Sequence, residues 1–176
     1  LRRLNMPSWQ VQKADDYDIE CYGDIKYDGF AIDVSPGRIR VAAKDQKGNV
    51  VTVASLKGTK VDQVCIGSCT NSSYTDMMRV ARILKGKSVH PDVILVIGPG
   101  SKQVLAMLAD CGALSDILAS GARVLECACG PCIGMGFSPN SAGVSLRTFN
   151  RNFEGRSGTA DGKVYLVSPE TAVAAA

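Results

Sequence analysis

The sequence is poor in the side chains that most often move protons. It has one histidine, His90, which stands before Pro91 and far along the chain from every cysteine-containing stretch. Imidazole chemistry beside those stretches must therefore come from elsewhere. Aromatic residues make up only 6%, and the one tryptophan is Trp9. No apolar run approaches the roughly 20 residues that span a bilayer, and the apolar end Ala172-Val173-Ala174-Ala175-Ala176 is far too short. Nothing near the start has the form of a signal peptide, so no membrane is expected. The formal net charge is only +3, with Lys and Arg scattered rather than clustered, and no nucleic-acid partner is expected.

Disulfide logic is also missing. The cysteines are Cys21, Cys65, Cys69, Cys111, Cys127, Cys129 and Cys132. An odd number without a secretory signal argues against a disulfide framework and fits reduced thiols in the cytoplasm. At 176 residues the chain is long enough to bury a core without such staples, as one compact domain or a domain with a small appendage. It starts at Leu1 rather than Met, as a segment of a longer protein would, or a chain whose first residues are missing.

The pattern changes near residue 58. Before it, Ile39, Val41 and Ala43 alternate with polar residues, Asp45 to Asn49 give a turn, and Val51, Val53 and Ser55 run back. This reads as a hairpin in an N-terminal β-rich segment, 1–57. Tyr22-Gly23-Asp24 and Tyr27-Asp28-Gly29 read as turns. From 58 to 176 short apolar runs alternate with helical spacing. Strands are expected over 61–66, 93–97, 122–125, 144–148 and 164–167. Helices are expected over 73–85, around Val104 to Leu108, over 113–120, and from Pro169. Such alternation predicts an α/β domain of three layers, with a mostly parallel sheet covered on both faces. Ligands of such sheets bind at the loops leaving the carboxyl ends of the strands.

Two cysteine sites occupy such loops. One is Gly67-Ser68-Cys69-Thr70-Asn71-Ser72-Ser73; the other is Cys127-Ala128-Cys129-Gly130-Pro131-Cys132-Ile133-Gly134, which opens a glycine-rich loop over 130–143. Parallel strands would deliver both loops to one edge and bring Cys69 near Cys129 and Cys132. Thiolates so grouped suit an iron–sulfur cluster, with small neighbours letting backbone amides approach the sulfides. Three ligands for four irons leave one iron open as a Lewis acid, whereas a cluster used only for electron transfer would want a fourth cysteine. Two other readings use the same residues. Cys-Gly-Pro-Cys is also a redox dithiol, although there it opens a helix, usually after a tryptophan. Cys69, Cys127, Cys129 and Cys132 could form a structural zinc site. Further on, Thr148-Phe149-Asn150-Arg151-Asn152-Phe153-Glu154-Gly155-Arg156 offers two arginines able to clamp carboxylates, and Asn150 and Asn152 as donors to cluster or substrate. Cys65 and Cys111 read as buried packing residues, Met77, Met78 and Met107 as core, and His90 as a surface residue. Gly98-Pro99-Gly100-Ser101 reads as a tight turn or an anion-binding helix start.

Three motifs in this order (Gly-Ser-Cys-Thr-Asn-Ser-Ser, Cys-Gly-Pro-Cys-Ile-Gly and Asn-Arg-Asn-Phe-Glu-Gly-Arg) resemble aconitase and its isopropylmalate isomerase and homoaconitase relatives. The resemblance covers about 58–176, and Cys-Gly-Pro-Cys is closer to the aconitases. It implies a hydro-lyase that interconverts citrate and isocitrate through cis-aconitate at a 4Fe–4S cluster. Cys69, Cys129 and Cys132 would be its ligands, with Asn71 and Asn150 beside them. Arg151 and Arg156 would hold the carboxylates of a hydroxy-tricarboxylate substrate. It implies no catalytic acid or base in this chain: members of the family are several times longer, and their Asp–His pairs and serine base lie in other parts of the enzyme. The partners implied are therefore the remaining domains or subunit.

Overall fold

A computed structural model describes the chain continuously from Gly58 to Ala176, together with Lys47, Leu56 and five upstream strands. These strands are β1 (Val11–Lys13), β2 (Asp18–Cys21), β3 (Ile32–Ser35), β4 (Arg38–Lys44) and β5 (Val50–Thr52). Strands β1 to β4 pair in sequence order and antiparallel, and β5 pairs back onto β4. The expected hairpin is therefore present as β4 and β5. Its outer residues Val53 and Ser55, most of its turn, and the turns expected at 22–24 and 27–29 lie outside the described residues.

The second part of the sheet is parallel throughout. It contains β6 (Gln63–Gly67), β7 (Ile94–Gly98), β8 (Arg123–Val124), β9 (Val144–Arg147) and β10 (Lys163–Leu166). Their order is β10-β9-β6-β7-β8, and β4 joins antiparallel at β10 through the pair Leu166 and Lys44. The parallel strands fall within about two residues of the positions expected from apolar periodicity.

Alternation along these strands divides the core in two. Val64 and Ile66 of β6, Leu95 and Ile97 of β7, and Leu146 of β9 face one side. They pack there against α1 (Tyr74–Leu84), α2 (Lys102–Asp110), α3 (Ala113–Ala119) and α4 (Pro169–Ala174). Helix α1 is central to this layer, touching α2, α3 and α4. It starts at a capping box between Ser73 and Asp76, and it buries Met77, Val80, Ala81 and Leu84 on one stripe. Met77, Val80 and Leu84, once buried, each contribute about 1.5–3 kcal/mol.

The other face carries Cys65, Val96, Cys132, Phe137, Phe149 and Leu166. No α-helix among the described residues covers it; a 3₁₀ turn over Gly130–Ile133 and the loop after it do so instead. The three layers are thus helices, sheet and loop.

Two packing expectations are corrected. Met107 is 40% exposed, because α2 buries only Leu108 and the residue before it points outward. Cys111 is exposed as well. It closes the C-terminal end of α2, with its sulfur 3.7 Å from Met78 Sδ and 3.6 Å from the Leu108 carbonyl.

The closest backbone approach in the sheet is at the end of β6. Gly67 has φ +113, and a Cβ placed on it would lie 1.9 Å from the carbonyl oxygen of Gly98. Both the dihedral and the contact demand glycine. Gly67→Ala should therefore lower unfolding free energy by about 3 kcal/mol or more, measured by urea titration followed by circular dichroism. A change below roughly 1 kcal/mol would mean that β6 and β7 do not close up as described.

Candidate functional site

Strands β6, β8 and β9 all run the same way, so the loops after Gly67, Val124 and Arg147 leave one edge of the sheet. Each residue of the first loop has a visible task. Ser68 sits at φ 94 and donates its backbone N–H to the Gly98 carbonyl at 3.1 Å. Its hydroxyl lies 4.0 Å from Cys69 Sγ. Cys69 is exposed. Thr70 donates its hydroxyl to Asn150 Oδ1. Asn71, in the left-handed region at φ 53, donates from Nδ2 to the Thr148 carbonyl at 2.7 Å. Ser72 donates to the Ser68 carbonyl, and Ser73 caps α1. Positive φ at a non-glycine residue costs energy and persists only where the surroundings enforce it. Here the polar side chains tie the loop to itself and to the 148–150 segment.

The Cys-Gly-Pro-Cys stretch leads into the 3₁₀ turn over Gly130–Ile133, not the start of an α-helix. Cys129 precedes it and is exposed; Cys132 is buried. Gly134 ends the turn at φ +80, and a Cβ there would lie 2.5 Å from the Ser157 carbonyl oxygen and 2.6 Å from Gly158 Cα. The turn is thereby pressed against the loop that carries Arg156.

The sulfurs meet through Cys129. Its thiol is raised above the ordinary thiol range, first by burial, then by the neighbouring Cys132 and Cys69. The contacts are pairwise: among the described residues no three His, Cys, Asp or Glu side chains are arranged around one metal ion. A cluster, in which each thiolate takes a different iron, makes no such demand. Asn150 links the first and third motifs, with Nδ2 3.9 Å from Cys69 Sγ while its carbonyl receives Thr70. The backbone does the same: Gly67 N–H donates to Thr148 Oγ1 at 2.9 Å.

Arg151 is exposed and Arg156 half-buried. The Arg156 guanidinium lies 5.3 Å from the centroid of the Phe153 ring, and its Nε is buried without a hydrogen-bond partner. Asn152, read from sequence as a donor toward cluster or substrate, instead donates to the Val164 carbonyl at 2.8 Å and ties the loop to β10. The Gly98 to Ser101 stretch is a structural turn: Gly100 N–H donates to the Ser72 carbonyl, and Ser101 caps α2. His90 lies before β7, at the opposite, amino edge of the sheet, where it lines a groove of about 890 Å³ with Lys60, Asp92 and Tyr165.

One residue escaped sequence reading. Arg147 is fully buried on the face opposite the helices. The signal was present in the apolar strand Val144-Ser145-Leu146-Arg147, whose polar positions share a face with Gln63 across the register.

Comparison with known proteins gives the family. Residues 18–176 match the aconitase family (aconitate hydratase). The chain belongs to the aconitase family. The match reaches upstream of residue 58, where the resemblance read from the motifs begins, and takes in β2 to β5. Among similar proteins, the 3-isopropylmalate dehydratase large subunit 1 of Archaeoglobus fulgidus is 41% identical over 87% of this chain and 37% of its own length. The homoaconitase large subunit of Thermus thermophilus is 42% identical over 82% of this chain and 35% of its own. The methanogen homoaconitase large subunit of Methanocaldococcus jannaschii is 36% identical over 85% and 36%. The chain therefore spans little more than a third of the length of these curated relatives.

Thiol reactivity offers a direct check on the site. Burial pushes the Cys65 thiol up to about 12, with Arg147 opposing it only in part. At pH 8 about one Cys65 in ten thousand would be thiolate. In protein prepared without iron, iodoacetamide should modify exposed Cys69, Cys111 and Cys129 first. Cys65 should stay unmodified until the chain is unfolded, with a rate that climbs as pH rises toward 12. Mass spectrometry of timed digests reads the order, and early labelling of Cys65 would contradict the buried face described here.

Proposed function

We propose that this chain is the cluster-binding part of an aconitase-type hydro-lyase, with Cys69, Cys129 and Cys132 as the ligands of a 4Fe–4S cluster. The observation that carries this reading is the meeting of Cys129 with both Cys69 and Cys132 at the carboxyl edge of the sheet.

The donor set fits the group. Three thiols from two loops are available, two of them exposed. The Asn150 amide already lies against Cys69 Sγ, as a donor to a thiolate would. Gly67 and Gly134 leave no room for a Cβ, so backbone lies where side chains would otherwise stand. With three protein ligands, the bound cluster supplies one open iron as a Lewis acid for a substrate hydroxyl.

The remaining work falls to side chains of this chain and of the rest of the enzyme. Arg156 is suited to a substrate carboxylate: a buried N–H without an acceptor costs about 1–3 kcal/mol, and an arriving carboxylate relieves that cost. A cation–π contact with the Phe153 ring, 5.3 Å from the guanidinium carbon, helps hold Arg156 in place. Arg151, earlier in the same loop, takes a second carboxylate. Asn150 holds Cys69 in place, and Asn71 fixes the 148–150 backbone that carries Asn150. The substrate is a hydroxy-tricarboxylate, citrate or isocitrate with cis-aconitate between them. Cys-Gly-Pro-Cys favours that choice, although the relatives above are named for isopropylmalate and homoaconitase. The proton next to the carboxylate is taken by a base from the remaining domains or subunit, because the chain's one histidine lies at the opposite edge of the sheet. The same fact favours a second reading of the chain by itself, as a module that binds cluster and carboxylate without turnover.

Anaerobic reconstitution with iron and sulfide tests both readings. The chain should take up a cluster, and Cys129→Ser should lose it, as read by iron and sulfide content and the visible spectrum. Citrate should perturb that spectrum, and Arg156→Lys should weaken the effect by about ten- to a hundredfold, the worth of a charge-assisted bond. The chain alone should not consume cis-aconitate at a sustained rate. Sustained turnover that disappears in Cys129→Ser would show that these residues hold a complete active site. Absence of iron uptake would remove the cluster reading altogether.

A further inference from the structure

Among the described residues, Arg147 is a buried cation without a buried anion. Its relative exposure is 0%, and all of its hydrogen bonds go to neutral oxygens. Nε donates to Ser145 Oγ at 3.0 Å, Nη1 to the Pro131 carbonyl at 2.6 Å, and Nη2 to the Phe137 carbonyl at 2.9 Å and Gln63 Oε1 at 3.2 Å. The rings of Phe137 and Phe149 lie 5.6 Å and 5.4 Å from the guanidinium carbon. Among the described residues no carboxylate pairs with it. The acidic groups that act on its charge are the thiols of Cys65 and Cys132. Cys65 stands next to it in the β6–β9 register.

A charge buried among neutral partners carries an uncompensated desolvation cost. An apolar side chain of similar volume would avoid that cost, so Arg147 is explained better by an anion that the site receives than by the fold alone. The anion belongs on the Cys132 side. Pro131, whose carbonyl accepts the shortest of the four bonds, directly precedes Cys132 in the 3₁₀ turn. Phe137, which accepts another, lies in the loop that packs the same face. Cys65 is less suited to carry the charge, being buried within β6, whereas Cys132 stands in the same turn as exposed Cys129.

We propose that Arg147 is a positioning residue for the iron–sulfur cluster: its guanidinium fixes the Cys129–Cys132 turn through the Pro131 carbonyl and supplies the buried positive charge that balances the anionic cluster at Cys132. This rests on the cluster reading given above. Two consequences follow from electrostatics in a site of low dielectric. The cation favours retention of the cluster, and it favours the more reduced, more negative state, which raises the midpoint potential.

The test compares the wild-type chain with Arg147→Gln, Arg147→Met and Arg147→Lys after anaerobic reconstitution with iron and sulfide. Circular dichroism and urea titration of the iron-free proteins report the fold. Iron affinity, read by competition with a chelator, should fall about ten- to a hundredfold in Arg147→Gln and Arg147→Met, as for other residues that support metal ligands. Redox titration followed by electron paramagnetic resonance should place their midpoint potentials below that of the wild type. Arg147→Lys, which keeps the charge, should restore most of the potential. Unchanged potential and iron affinity in folded Arg147→Gln and Arg147→Met would overturn the proposal. So would failure of all three variants to fold without iron, which would assign Arg147 to the fold alone. A wild-type chain that takes up no iron would overturn both this proposal and the cluster reading, whereas a loaded wild type with unaltered variants overturns this one only.

Discussion

Parallel pairing of β6 with both β7 and β9 is the constraint on which the site depends. It sets the ends of three sequence-distant strands at one edge, and the loops beyond them then have little freedom. Gly67 closes against Gly98, and its N–H reaches Thr148 across the β6–β9 ladder. Those contacts place Cys69 beside Asn150. Were β9 to slip by one residue, Arg147 would turn into the helix face and Leu146 into the loop face, since neighbours on a strand point to opposite sides. Register therefore decides both the buried chemistry and the exposed chemistry at once.

The loop-covered face is unusual in its chemistry. One face of the sheet is packed by helices with aliphatic side chains, in the ordinary manner of α/β domains. The other combines sulfur, aromatic rings and a guanidinium under the loop that begins at Gly130. A loop can cover a sheet only if its backbone groups are satisfied. Arg147 takes up two of its carbonyls, Gln63 donates to a third at Ser138, and Ser138 donates to a fourth at Gly134. Polar residues on an inner face thus act as fasteners for irregular chain, and that arrangement leaves cysteines at the rim rather than under a helix.

Much of this was legible from the residues. Periodicity placed β6 to β10 and the four helices because apolar runs of strand length alternate with stripes at helical spacing. The cysteine loops could be assigned to one edge because parallel strands leave no other choice. The exposed sides of Met107 and Cys111 were less legible, because a short helix that buries one residue gives little pattern to read. Asn152 looked like its neighbour Asn150, and only the approach of β10 gave it a different partner.

By itself the sequence determined the family, the order of strands and helices, and which cysteines fall in strand-end loops. These follow from local spacing and from motifs that each lie within a few residues. Tertiary structure alone decided how sulfur, amide and guanidinium groups meet. Cys129 neighbours Cys69 only because two loops converge, Arg156 Nε is buried without an acceptor in a loop packed against the Cys-Gly-Pro-Cys turn, and Arg147 is buried only because an irregular loop closes over it. Burial and contact between residues distant in sequence depend on register and loop closure, and neither is encoded in the spacing of any one segment.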